Sequence, residues 1–174
     1  MEKTKWVIDE GHSQIGFKVK HLAIANVVGT FKKIKGDLAC EIDDFDNSAV
    51  NFEIDVNSID TNNNDRDGHL KSALFFNADS FPKIAFIGSL KKEEEEYKLV
   101  GNLTILQTTK PITMHVEYTG SGKGRFNDTR AGFEVSGKIN RKDFGLNFHL
   151  LNDAGNLVVG DEVRLFGDIE LIKQ

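Results

Sequence analysis

One cysteine, two prolines, one tryptophan and two tyrosines in 174 residues are few, and each scarcity removes a class of answer. The lone Cys40 cannot form an intrachain disulfide, and a zinc site built on two or more cysteines is excluded, so Cys40 reads as a small strand residue. Long hydrophobic runs are missing as well. No window approaches the ~18 apolar residues needed to span a membrane, and the first six residues lack the apolar core of a secretion signal. As written, the chain is expected in the cytoplasm, or in the periplasm if a leader was removed. Charge of one sign does not accumulate: 22 basic and 27 acidic side chains give −5 and are scattered, which argues against a nucleic-acid partner. A chain of this length fits one domain, residues 1–174, able to bury roughly 70% of its unfolded surface.

What is present is alternation. Ile15, Phe17 and Val19 are separated by Gly16 and Lys18, and Leu38, Cys40 and Ile42 repeat the pattern. Val50, Phe52, Ile54 and Val56 keep a two-residue period that a helix would scatter around its circumference. Ile84, Phe86 and Leu90 follow, then a loop over 91–96. Tyr97, Leu99, Gly101, Leu103 and Ile105 share one face. Parity then switches to Ile112, Met114, Val116 and Tyr118. Ala131, Phe133, Val135, Gly137 and Ile139 form another face, and Val163, Leu165, Gly167, Ile169 and Leu171 the last. About eight strands at hairpin spacing result, near the number at which a closed barrel holds one small ligand. Asp65 is placed to cap a short helix over 65–76, with Leu70, Ala73 and Leu74 on one face and Asp67 paired to Lys71.

Chemistry-bearing residues give little. His12, His21, His69, His115 and His149 show no short metal-ligand spacing, and a surface or structural role accounts for each. Gly120-Ser-Gly-Lys-Gly-Arg125 resembles a phosphate loop but lacks its frame and a following helix, so it reads as a turn between strands. The acidic run 93–96 reads as solvated, because consecutive carboxylates do not converge on a cation. Asn102-Leu-Thr104 and Asn127-Asp-Thr129 fit a glycosylation sequon but carry no weight without a secretory leader. No Gly-x-Ser-x-Gly elbow appears, and nothing beside Cys40 would activate it. Phe, by contrast, occurs 13 times. It has no polar handle and suits a greasy interior.

The motifs taken in order resemble the YceI family of lipocalin-like, polyisoprenoid-binding bacterial proteins. They begin with Trp6-Val-Ile-Asp9, His12-Ser13, His21-Leu22, Gly29-Thr-Phe31 and Gly36. The central run is Ser58-Ile-Asp-Thr-Asn62, Arg66-Asp67, His69-Leu70, Ser72, Phe75-Phe76 and Phe81-Pro82-x-Ile84-x-Phe86. Gly101-x-Leu103-Thr-Ile105, Thr109-Lys-Pro111, Arg141-x-Asp143-Phe-Gly145 and Val159-Gly-Asp161 complete it. Leu74, Asn77 and Gln107 depart from the usual pattern. The resemblance implies an all-β fold, an extended eight-stranded antiparallel lipocalin-like barrel with a short helix near one end. It also implies a lumen holding an isoprenoid or other long-chain amphiphile, and no catalytic residue.

The expected function is carriage of a polyprenyl lipid, isoprenoid quinone or fatty-acid derivative, with no required cofactor, no metal and no membrane span. Self-association into a homodimer is left open. The ligand-binding residues expected from the apolar faces are Phe17, Val19, Phe52, Ile54, Phe86, Leu103, Ile105, Met114, Val116, Phe133 and Val135, with Phe144 and Leu146 near a rim. Gly101 and Gly137, which share faces with apolar residues, suggest either a close backbone approach or room left for ligand. Two rivals stand beside this reading. One is a small-barrel enzyme using His21 or His69 with Asp67 or Asp143; the other is a β-sandwich interaction module with a dry core.

Overall fold

The structure is a computed structural model that describes residues 2–41, 44–148 and 158–174. Ile42 and His149 lie outside the described residues. Eleven strands follow one another: β1 (Lys3–Ile8), β2 (Gln14–His21), β3 (Ala25–Phe31), β4 (Ile34–Glu41), β5 (Asp44–Asp55), β6 (Ile59–Asp60), β7 (Lys83–Glu93), β8 (Glu96–Ile105), β9 (Thr108–Lys123), β10 (Thr129–Asn140) and β11 (Val159–Lys173). One α-helix, α1 (Asn64–Lys71), lies between β6 and β7.

Several of these strands are halves of one bent path. The Asp9 carboxylate accepts from the Gly11 N–H at 3.0 Å and meets His12 Nδ1 at 2.8 Å, folding Glu10–His12 into a single 3-10 turn. β1 and β2, on either side of that turn, both pair with β11. β3 and β4 are likewise one path broken at Lys32 and Lys33, lying beside β2 and β1. β5 runs on into β6, which returns to pair with β3. Counted this way, eight antiparallel strands close into a barrel, with β11 meeting the N-terminal path. Closure excludes the sandwich reading, because there are no two separate sheets to enclose a dry core.

Arg130 fastens the seam. Its guanidinium reaches from β10 to Asp9 and to Glu170 on β11, 2.5 Å from each, and to Asp128 at 2.9 Å. The His12 contact, then Arg130 and the Gly11 N–H, hold the Asp9 carboxyl below its ordinary range against the opposing push of burial.

The strand parities expected from sequence place the right residues inward. Leu99, Leu103, Ile105, Met114, Val116, Ala131 and Phe133 are buried in one core with Trp6 and Leu171. One end of the barrel carries the β4–β5, β7–β8 and β9–β10 connections. There Trp6, Phe45, Tyr118 and Phe133 pack ring against ring, with centroids 5.1 to 5.5 Å apart. The other end carries the β2–β3 and β8–β9 turns and α1.

Three local expectations need correction. The loop over 91–96 is a tight hairpin: β7 and β8 stay paired to Glu93 and Glu96, and Glu94 takes φ 56 in the turn. The helix is shorter than 65–76 and is capped by Asn63, whose side chain accepts from the Arg66 N–H at 2.9 Å. It stops at Lys71 because Ser72 is extended and its hydroxyl bonds the His69 carbonyl at 2.6 Å, which leaves Leu74 60% exposed rather than on a buried face. Asp67 does not pair with Lys71. It points inward, accepting from the Thr61 N–H at 2.9 Å and the Thr61 hydroxyl at 2.5 Å.

At Gly101 the structure decides between the two readings in favour of a close backbone approach, with no room left for ligand. Gly101 stands opposite Gly88 in the β7–β8 register, and a Cβ there would fall on the Ile87 carbonyl oxygen and lie 2.5 Å from Gly88 Cα. The Phe86 ring reaches 2.8 Å from the Cβ position of either glycine, so the pair opens a slot for one aromatic ring. At Gly137 the nearest obstacle is the flexible Met114 side chain, 2.7 Å away.

Candidate functional site: an apolar lumen

The inward faces of the eight paths do not fill the barrel. They enclose a cavity with about 230 Å³ open to the centre of a water molecule. One water needs roughly 10–15 Å³ on that measure, so this is space for a chain rather than a packing defect. The wall is hydrocarbon almost throughout. Of the polar residues beside it, Asp37 faces outward toward Lys5 at 3.9 Å and Asn51 is exposed, so they contribute backbone.

Arg141 is the charged side chain that reaches the cavity, and it is only 4% exposed. It donates to the carbonyls of Leu146 at 2.6 Å and Gly160 at 2.9 Å, and pairs with Asp161 at 3.2 Å. That saturation makes it a tie between the Arg141–Phe144 turn and β11, with its charge already matched. At the plugged end, the buried Trp6 Nε1–H has no hydrogen-bond partner among the described residues.

Of the residues expected from sequence, Phe17 and Val19 on β2, Phe52 and Ile54 on β5, Leu103 and Ile105 on β8, Met114 and Val116 on β9, and Phe133 and Val135 on β10 border the lumen. Phe86, Phe144 and Leu146 do not. Phe86 is fully buried behind Phe52, the two rings stacked at 5.3 Å and 19°, because the glycine slot draws it against the sheet. Phe144 is 2% and Leu146 8% exposed, packed in the core beside the turn that Arg141 holds.

Sequence reasoning passed over the β11 wall, Val163, Leu165 and Ile169, although its alternation was plain. It also gave no lining role to Leu70, Phe75 and Phe76, which cover the α1 end. The central motif explains their position. Arg66 donates to Thr61 through its Nε at 2.8 Å and Nη2 at 2.5 Å while Asp67 accepts from the same residue, so α1 is pinned to the strand it follows. Phe76 then meets Phe31 edge-on at 6.3 Å.

No histidine stands beside a carboxylate within the lumen among the described residues. His21 and His69 are exposed, Asp67 is engaged by Thr61, and Asp143 is exposed on its turn. His69 instead lies edge-on to Phe75 and Phe148, at 5.1 and 5.7 Å. His12 and His115 pair with Asp9 and Glu96 on the outer surface. Two Ser-x-x-Lys spacings occur, at Ser80 to Lys83 and Ser89 to Lys92. Neither is helical: Lys83 is paired with Glu53 at 2.6 Å, and on β7 Ser89 and Lys92 point to opposite faces. The stretch Gly120 to Arg125, expected as a turn, is mostly strand: Gly120 to Lys123 stay paired with β10, and the turn begins only at Gly124.

Among the described residues, no helix is long and apolar enough to cross a membrane. The YceI-like domain family matches residues 6–171. A UPF0312 protein of Staphylococcus epidermidis is 39% identical over 168 residues, 96% of each chain. A solved YCEI protein of Campylobacter jejuni is 31% identical, with a TM-score of 0.71 over 95% of this chain and 96% of that one. A polyisoprenoid binding domain from Saccharophagus degradans superposes with a TM-score of 0.71 over 97% and 98% of the two chains, at 14% identity that speaks for the fold alone. The match across nearly the whole barrel, with relatives above 30% identity, means that this chain belongs to the YceI-like domain family.

Proposed function

We propose that the protein is a carrier that holds one long-chain amphiphile, an isoprenoid or a fatty-acid derivative, in the barrel lumen. The observation that carries this reading is the cavity itself: about 230 Å³ walled by hydrocarbon, with the charge of Arg141 beside it already matched by Asp161 and backbone carbonyls. Binding follows from desolvation. Each buried CH2 is worth ~0.8 kcal/mol, offset in part by the ordering of the chain. The aromatic plug closes one end, so the tail enters past Phe75 and Phe76 and any polar headgroup stays at the α1 mouth. The name of the Saccharophagus degradans domain agrees with an isoprenoid cargo. No cofactor is needed and no residue is assigned catalysis. Native mass spectrometry of mildly purified protein, followed by organic extraction, tests the proposal. A lipophilic adduct of one molecule per barrel is expected; apo mass throughout, with no uptake of added prenyl quinone or fatty acid, refutes it.

A further inference from the structure

The lumen has a floor. Phe133 belongs both to the aromatic plug, where its ring lies 5.1 Å from Phe45 and 5.3 Å from Tyr118, and to the lumen wall. From there the β10–β11 ladder runs toward the α1 mouth. Phe133 stands opposite Ile169, Val135 opposite Gly167 and Ile139 opposite Val163, and each of these residues borders the lumen. On β8 the lining residues Leu99 and Ile105 are separated by the same number of steps as Phe133 and Ile139.

Those steps convert to a length. Phe133 to Ile139 covers about 20 Å of strand, which a tilt of about 40° reduces to roughly 15 Å along the barrel axis. An isoprene unit spans about 5 Å when extended, so about three units reach from the floor to the end of the ladder. A further unit lies among Leu70, Phe75 and Phe76 at the mouth. The width is limited as well. Spread over such a length, the 230 Å³ open to water centres corresponds to a tube about 7 Å across. Two prenyl chains side by side need about 8 Å, because carbon atoms approach no closer than about 3.5–4.0 Å, so a longer tail does not fold back into the tube.

We propose that Phe133 measures the cargo: the lumen takes a tail of about three to four isoprene units above that ring, and any further units stay outside the mouth. The length limit rests on the carrier reading, which itself stands with or without a limit. Selection then acts on the tail rather than on a polar contact, because each unit that fits adds buried hydrocarbon and each unit that does not fit adds none.

Titration of stripped protein with prenyl alcohols of two to six units, all carrying the same hydroxyl headgroup, tests the limit. Affinity should rise about tenfold or more with each unit up to the third or fourth, then change by less than about threefold per unit. Two variants move the floor in opposite directions. Val135→Phe puts a ring into the tube one lining pair above Phe133 and should bring the plateau about one unit earlier. Phe133→Ala removes the floor ring and should delay the plateau by about one unit. Val135→Phe fills open space, so it keeps the test available if Phe133→Ala does not fold. A wild-type plateau before the third unit, an affinity still climbing about tenfold per unit from the fourth to the sixth, or a plateau unmoved in folded Val135→Phe overturns the limit and leaves the carrier. No binding at any length removes the carrier, and the limit with it.

Discussion

Gly101→Ala puts the packing of the barrel wall to a numerical test. The added methyl has two opposing effects. Filling a strand glycine stabilises by about 0.5–1 kcal/mol, because glycine loses the most freedom on folding. Against that, the new Cβ falls on the Ile87 carbonyl oxygen and 2.5 Å from Gly88 Cα, both backbone atoms that can move only by parting β7 from β8. Overpacking of this kind costs roughly 1–3 kcal/mol, so the clash wins and the net loss is about 1–2 kcal/mol. With a urea slope of roughly 2 kcal/mol per M, the unfolding midpoint should fall by about 0.5–1 M. Gly137→Ala is the internal comparison. Its Cβ meets the Met114 side chain at 2.7 Å, which swings aside cheaply, so the midpoint should stay within about 0.3 M. A Gly101→Ala midpoint at or above wild type, or equal losses at both positions, would refute the slot for Phe86.

Truncating Phe86 to Ala should cost about 3–5 kcal/mol in the same assay, since the ring fills a fully buried slot rather than open lumen; a loss below ~1 kcal/mol contradicts that placement. Val135→Trp, placed on the lumen wall, should leave the unfolding midpoint of ligand-free protein near wild type and weaken prenyl-quinone binding at least about tenfold in a fluorescence titration. Asp67→Ala should cost about 1–3 kcal/mol by leaving the Thr61 N–H unpaired, and should raise amide exchange over 61–76; unchanged exchange there counts against the pinning of α1. Asp9 has a folded pKa below its ordinary 3.8, so the stability it contributes is present above that value and is lost as pH falls through the lower folded one. Urea midpoints measured from pH 5 down to pH 2 should therefore drop less steeply in Asp9→Asn, and parallel curves would remove Asp9 from the seam.

Strand parity was the legible part of this protein. Leu99 to Ile105 and Ala131 to Ile139 alternate every second residue, and a half-buried strand leaves no other face for the apolar set, so the barrel and most of its inner wall follow from sequence. The errors came where one residue's role depends on a neighbour across the sheet. Phe86 has the same parity as Ile84, yet two glycines on adjacent strands draw its ring out of the lumen, a pairing visible only in the register. Asp67 has helical spacing to Lys71, but Thr61 competes for it with two donors and wins. The bends at Glu10–His12 and at Lys32 and Lys33 were missed because both halves of each path keep strand alternation.

The central claim is that hydrocarbon burial in the lumen supplies the affinity, and a chain-length series measures this most directly. Stripped protein titrated calorimetrically with prenyl alcohols of increasing length, at one fixed headgroup, should show one site per barrel. Affinity should rise with each isoprene unit, by less than the ~0.8 kcal/mol per CH2 that burial alone gives, until the lumen is full. Affinity that is flat with chain length, or that follows the headgroup instead, would contradict the account.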